Sequence, residues 1–175
     1  MRKVILSVAL SLDGFIEGPN GEYDWCPPPS QKVMDDFMSK IDFIFLGRKS
    51  FEMMGSSAFP GKVLYVFSNS LKLEERKDIR LMSGDIASKV REIKKSEGKD
   101  IWLFGGASLV TTFINEGLMD EMWLGLVPVV LGSGKPLFQD IKQRQYFSIS
   151  EAMPSTGYVS VKYVYKKRRK SKKTL

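Results

Sequence analysis

The sequence predicts an α/β domain of three layers, a mostly parallel sheet with helices on both faces and an antiparallel hairpin at its C-terminal end. Three observations lead there. Short continuous apolar runs, Phe43-Ile44-Phe45-Leu46 and Ile101-Trp102-Leu103-Phe104 among them, read as strands buried on both faces. Segments with apolar residues at helical spacing separate these runs, and that alternation builds parallel sheets. After residue 145 the pattern changes to apolar–polar alternation, the mark of half-exposed antiparallel strands.

Each element has its own warrant. Residues 4–10 form the first strand, and Ser11-Leu12-Asp13-Gly14 turns the chain out of it. Gly18-Pro19-Asn20-Gly21 is strong turn chemistry, so residues 13–29 read mostly as loop, carrying Tyr23, Trp25 and Cys26. Ser30 is an N-cap for a helix whose apolar face is Val33, Met34, Phe37, Met38 and Ile41. The strand at residues 43–46 runs into Gly47-Arg48-Lys49-Ser50, where a helix begins. Residues 62–67 are a third buried strand ending at Ser68-Asn69-Ser70, and Arg80-Leu81-Met82 is a short fourth. Asp85 caps a helix that presents Ile86, Val90 and Ile93. Residues 101–104 then meet Gly105-Gly106, and Leu109, Val110, Phe113 and Ile114 recur at helical spacing up to Gly117, a C-terminal capping glycine. Residues 121–131 read as one long apolar strand, and residues 146–150 and 158–165 as the terminal hairpin.

At 175 residues, 43% hydrophobic and 27% charged, the chain is sized for one domain, residues 1–165, with a proper core. A single cysteine excludes an internal disulfide and suits a reducing, cytoplasmic setting. No stretch approaches a membrane span, and the short apolar N-terminus reads as a strand. The formal charge of +7 belongs to residues 166–175, where seven basic residues stand without an acid and leave 20 basic against 20 acidic elsewhere. A solvated tail is the expected reading, since no aromatic residue follows Tyr165 as nucleic-acid binding would favour.

The chemistry gathers at strand ends. In a parallel sheet ligands bind beyond the C-terminal ends of the strands. Gly47-Arg48, Ser68 and Gly105-Gly106 all stand there. Glycine exposes backbone N–H groups, helix N-termini attract phosphate, and Arg48 offers a planar bidentate fork. A shared nucleotide site is the reading; a set of separate turns is the alternative.

In this order the segments SLDGFIEG, GRKSFE, VFSN, FGGASLV and VPVVLGSGKPLF resemble the dihydrofolate reductase superfamily. Within it they are most similar to stand-alone relatives of the C-terminal reductase domain of bifunctional riboflavin-biosynthesis deaminase-reductases. The resemblance spans residues 4–165 and implies a dihydrofolate-reductase-like fold and NADPH as cofactor. By position it implies that Gly47, Arg48, Lys49 and Ser50 hold cofactor phosphates and that Ser68 lies beside the 2′-phosphate. It implies that Gly105 and Gly106, joined by a cis peptide, close around the pyrophosphate, with Ala107, Ser108 and Leu109 opening the next helix. Ala9 and Ile16 would border the nicotinamide, and Asp13 lies in the matching mobile loop. The implied reaction is hydride transfer to a small heterocycle, most like 5-amino-6-(5-phosphoribosylamino)uracil reductase or a pterin reductase. A nucleotide-binding module without catalysis is the alternative.

One departure stands out. Dihydrofolate reductases hold the pterin with an acid early in the first helix; here that position falls near Val33, with Asp35 and Asp36 later. The chain has no histidine, so Asp13, Asp24, Asp35, Asp36 or a bound water must serve as proton donor or anchor. Asp13 is the first choice, a structural turn with Gly14 its alternative. Trp25 and Tyr23 either stack on a flat ring or pin their loop. A homodimer is expected from an apolar strand near the sheet edge, residues 121–131, and from the hairpin.

Overall fold

The computed structural model describes residues 1–74 and 76–166; the basic tail from residue 167 onward lies outside the described residues. In chain order the elements are β1 (Val4–Ser11), β2 (Phe15–Glu17), α1 (Gln31–Met38), β3 (Ile41–Gly47), α2 (Arg48–Met54), β4 (Val63–Phe67) and β5 (Ile79–Met82). Then come α3 (Ile86–Lys95), β6 (Asp100–Gly105), α4 (Ala107–Asn115), β7 (Glu121–Val127), β8 (Lys135–Pro136), β9 (Phe147–Ser155) and β10 (Tyr158–Tyr165). Eight strands form one sheet in the order β5-β4-β3-β6-β1-β7-β10-β9. Pairing is parallel from β5 through β7 and antiparallel between β7, β10 and β9.

Alternation along the inner strands explains the layers. Phe45, Leu103 and Leu6 join Val90 of α3 and Phe113 of α4 in one core; their neighbours Ile44, Trp102 and Ile5 join Phe37 of α1 and Phe51 of α2 in the other. A strand apolar at every position therefore feeds two cores, which is why these runs lack alternation. The expected caps form. Ser30 and Asp85 accept from the N–H groups of Val33 and Ser88, and Gly117 (φ 62°) follows α4 with the paired Leu118-to-Phe113 and Gly117-to-Ile114 bonds of a Schellman ending.

The segment at residues 13–29 is mostly loop as expected, with one short strand, β2, that pairs with β8 in a two-stranded sheet. Three expectations are corrected. Ile41 is not helical; it opens β3 and is fully buried. The long apolar strand stops at Val127, since Pro128 has no N–H to continue a ladder. β7 also lies inside the sheet, between β1 and β10; the strand at that edge is β9.

Among the described residues one charged side chain is buried with full compensation. Arg2, 6% exposed, pairs with Asp42 at 2.9 Å, donates to Ser96 Oγ and to the carbonyls of Glu97 and Lys99, and lies over the Phe43 ring. It ties the start of β1 to β3 and to the turn after α3.

Candidate functional site

The strand order decides what meets at the top of the sheet. β3 lies between β4 and β6, so the three chemically marked strand ends are neighbours. They open on a cleft of about 390 Å³ lined by Gly47, Arg48, Lys49, Ser50, Ser68 and Gly106. Ala107, Ser108 and Leu109 of α4 complete the wall, with Lys135 facing from β8. Gly105 stands just behind, buried at φ 124°, and the Gly105–Gly106 peptide is cis. Neither α2 nor α4 has a side-chain N-cap; Gly47 and Gly106 occupy those positions. Both helices thus present N–H groups to the same cleft, where they suit an anion.

The cations at this cleft are loosely held. Arg48 pairs with Glu52 one turn on, at 3.0 Å on an exposed surface. Such pairs contribute only tenths of a kcal/mol, about 0.3–0.5, so a phosphate can displace the glutamate. Lys135 bonds Glu17 at 2.9 Å. Ser68 Oγ accepts from the N–H groups of Ser70 and Leu71, which shapes the turn and leaves its own O–H as a donor.

A second cleft, about 550 Å³, opens on the other side of β6. Ala9 lies here, with Trp102, Trp123, Phe37, Tyr158, Lys40 and Lys162. Phe37 meets Trp102 and Trp123 edge-on, each at 5.2 Å between ring centres. Val33 lines this cleft, so the position of the missing acid does face it; among its lining residues the one carboxylate is Asp36. The hydrogen bond and charge of Lys32, 2.8 Å away, hold the Asp36 carboxyl below the usual range, so it stays ionised.

The remaining expected residues lie elsewhere. Ile16 is on β2, packed against the α3–α4 core, and lines neither cleft. Asp13 also lines neither. Its carboxylate accepts from Ser11 Oγ (2.7 Å), Leu131 N–H and Gly132 N–H (2.7 Å). Desolvation opposes its charge, but these donors outweigh it and hold the carboxyl below its ordinary range. These bonds make Asp13 a clip from the end of β1 to the loop before β8, while the Gly14 N–H that a turn would use bonds the Ser11 carbonyl instead. Asp24, Asp35, Tyr23 and Trp25 line neither cleft. Sequence reasoning left Lys135 unassigned inside a motif it did single out, and missed Lys40, Lys162 and Trp123. The elements bearing those three meet only through the sheet order.

The comparisons agree with this architecture. The family model described as the RibD C-terminal domain matches residues 2–159. Among curated proteins, the uncharacterised YyaP of Bacillus subtilis is 43% identical and covers 93% of this chain, which covers 94% of it. The uncharacterised YwjB of the same organism is 33% identical, covering 80% of this chain and 84% of its own length. Among solved structures, a protein of Shewanella sp. PV-4, provisionally named for riboflavin biosynthesis, superposes with a TM-score of 0.81 at 23% identity over 94% of this chain and 99% of its own. The Thermotoga maritima diaminohydroxyphosphoribosylaminopyrimidine deaminase/5-amino-6-(5-phosphoribosylamino)uracil reductase gives 0.71 at 14% identity over 94% of this chain, which spans 56% of it. Enterococcus faecalis dihydrofolate reductase, complexed with NADP(H), gives 0.70 at 16% identity over 94% of this chain and 97% of its own.

Proposed function

The chain belongs to the RibD C-terminal domain family, and on that premise we propose that it is an NADPH-dependent reductase of a small heterocycle. The observation that carries this reading is the first cleft. Two uncapped helix N-termini, the bare backbone of Gly106 and three cations converge there, a donor set suited to a polyphosphate. Gly47, Ser50, Gly106, Ala107 and Ser108 would hold the pyrophosphate, and Arg48 and Ser68 the 2′-phosphate. The cofactor would supply the hydride, to a C=N or C=O bond; the chain supplies position and charge. The reaction is most like that named for the Thermotoga relative, with a pterin reductase second. Asp13 and Asp36 are both held ionised, so the proton would come from solvent, with Asp13 a positioning residue for the loop above β1. That lack of a placed acid is also what favours the alternative, a nucleotide-binding module without catalysis. A soluble cytoplasmic enzyme fits the single cysteine, and among the described residues no helix is long and apolar enough to cross a membrane.

The test is calorimetric titration with NADPH and NADH. Charge-assisted bonds contribute about 1.5–3 kcal/mol, so NADPH should bind about tenfold or more the tighter. Arg48→Ala should shrink the gap to about threefold by removing one of the 2′-phosphate donors. Equal affinities in the native protein would remove the assignment.

The proposed homodimer rests on β9, the edge strand on the antiparallel side of the sheet, where Ile149 is 64% and Met153 53% exposed. Unpaired strand groups beside exposed apolar residues favour pairing with a second copy. Light scattering at micromolar concentration should give twice the chain mass, and Ile149→Lys should halve it; a native monomer would end this reading.

A further inference from the structure

A further hollow lies where the described residues end, away from both clefts. It holds about 290 Å³. Gln143, Arg144, Gln145 and Tyr146 line one side, Tyr165 and Lys166 the next, and residues 115–117 at the end of α4 complete it. Hydrogen bonds fix these segments to one another. Lys166 N–H bonds the Tyr146 carbonyl at 2.9 Å, and the Tyr165 hydroxyl donates to Gln145 Oε1 at 3.0 Å. Asn115 Nδ2 donates to the Asp140 carbonyl, and its Oδ1 accepts from Lys142 N–H. The first cleft opens at the N-terminal end of α4 and this hollow at the C-terminal end, about 13 Å away along the helix axis.

A helix C-terminus carries partial negative charge, but here it is answered within the fold. The carbonyls of Thr112, Phe113 and Ile114 accept from the N–H groups of Glu116, Leu118 and Gly117, and that of Glu116 accepts from Arg91. Glu116, the one carboxylate in the lining, lies 3.9 Å from the same arginine. The cations are not answered. Lys142, Arg144 and Lys166 are exposed and make no ion pair among the described residues. In sequence, Lys167, Arg168, Arg169, Lys170, Lys172 and Lys173 follow at once, with no acid up to Leu175. Charge of that density suits a polyanion. Two features narrow the class. Tyr146 is 45% exposed, a ring on which an unpaired base can stack, and the amides of Gln143 and Gln145 beside it suit base edges. The tail has no aromatic residue of its own; the structure brings one to its root from the segment before β9. A lipid surface would call for apolar anchors, and the tail offers Leu175 alone.

We propose that the rim of this hollow and the basic residues after it form a binding surface for single-stranded nucleic acid. Phosphates take Arg144, Lys166 and the cations that follow, and a base stacks on Tyr146. The surface is independent of the reductase reading and leaves the first cleft free for its own ligand.

The experiment measures fluorescence anisotropy of labelled oligouridylate and oligothymidylate, each of about twelve nucleotides, with the full chain. Affinity should fall about a hundredfold or more between about 50 and 200 mM salt, a logarithmic slope of about −4 or steeper. The tighter of the two oligomers identifies the sugar. The full-length variant Lys167→Gln, Arg168→Gln, Arg169→Gln, Lys170→Gln should flatten the slope by about 3, and Arg144→Gln alone by about 0.7. Tyr146→Ala should weaken both oligomers about fivefold or more with the slope and the melting temperature unmoved. A duplex of the same length keeps its bases stacked, so it should bind native protein and Tyr146→Ala alike. Saturating NADPH should displace nothing. No binding, a slope indifferent to the four tail substitutions, or Tyr146→Ala equal to the native protein overturns the proposal. So does equal binding to vesicles containing phosphatidylserine, which makes the partner a membrane. Displacement by NADPH would put the oligomer in the first cleft and end the proposal while supporting the cofactor assignment.

Discussion

Gly106→Ala is expected to lower NADPH affinity by about tenfold or more and to leave the urea midpoint unchanged. The backbone at Gly106 has φ −79° and ψ −169°, which an alanine adopts freely. An added Cβ would find one heavy atom nearby, Ser50 Oγ at 3.8 Å, an ordinary contact. Gly106 and Ser50 both line the first cleft, so the methyl group takes up space there and not in the core. Gly105 is the control. Its φ of 124° strains any L side chain, so Gly105→Ala should lose stability, by about 1–2 kcal/mol, and binding in step with it. Calorimetry and urea unfolding on both variants decide the matter. If folded Gly106→Ala binds NADPH like the native protein, the double glycine is a turn and the phosphates lie elsewhere.

Arg2→Ala should lower stability by about 3 kcal/mol or more, a larger loss than any surface substitution. The side chain is buried, and removing it leaves the Asp42 carboxylate with only its Lys99 N–H bond and two carbonyls without their donor. Gly98, at φ 126°, has no room for a Cβ against the Arg2 guanidinium, so the turn is fitted to this one side chain. A pH signature accompanies it. Burial opposes the charge of Asp42, but the Lys99 N–H bond and Arg2 hold its carboxyl below the ordinary 3.8. A depressed folded pKa stabilises the fold above the unfolded value, and that stabilisation is lost as pH falls through the folded one. Between about pH 5 and the folded pKa the native protein should therefore lose stability more steeply than Asp42→Asn. Urea midpoints across that range measure it; parallel curves would mean that Asp42 is unperturbed.

How much was legible follows from how local each signal is. β3 and β6 announce themselves because residues 43–46 and 101–104 are all apolar, and the caps of α1, α3 and α4 are set by residues within a turn of the helix end. Ile41 misled because its spacing from Phe37 suits a helix, while both side chains enter the same core by different routes. β2 was invisible because three residues gain order only from β8, far along the chain. The first cleft could be read because each strand end carries its own glycine or hydroxyl. The second could not: Lys40 reads as a solvated turn and Trp123 as core until β10 is placed beside β7.

The segment after β1 and the segment around β8 behave as one exchangeable part. Asp13 is clipped to Leu131 and Gly132, β2 is laddered to β8, Glu17 holds Lys135, and Gly134 lies so close to the Glu17 carbonyl that no side chain fits between them. A chimera that took residues 11–18 from a relative such as YyaP without residues 128–137 would carry mismatched halves of a single wall. Transplanted together, the two segments should keep that wall intact, with Lys135 still held at the first cleft by its own Glu17.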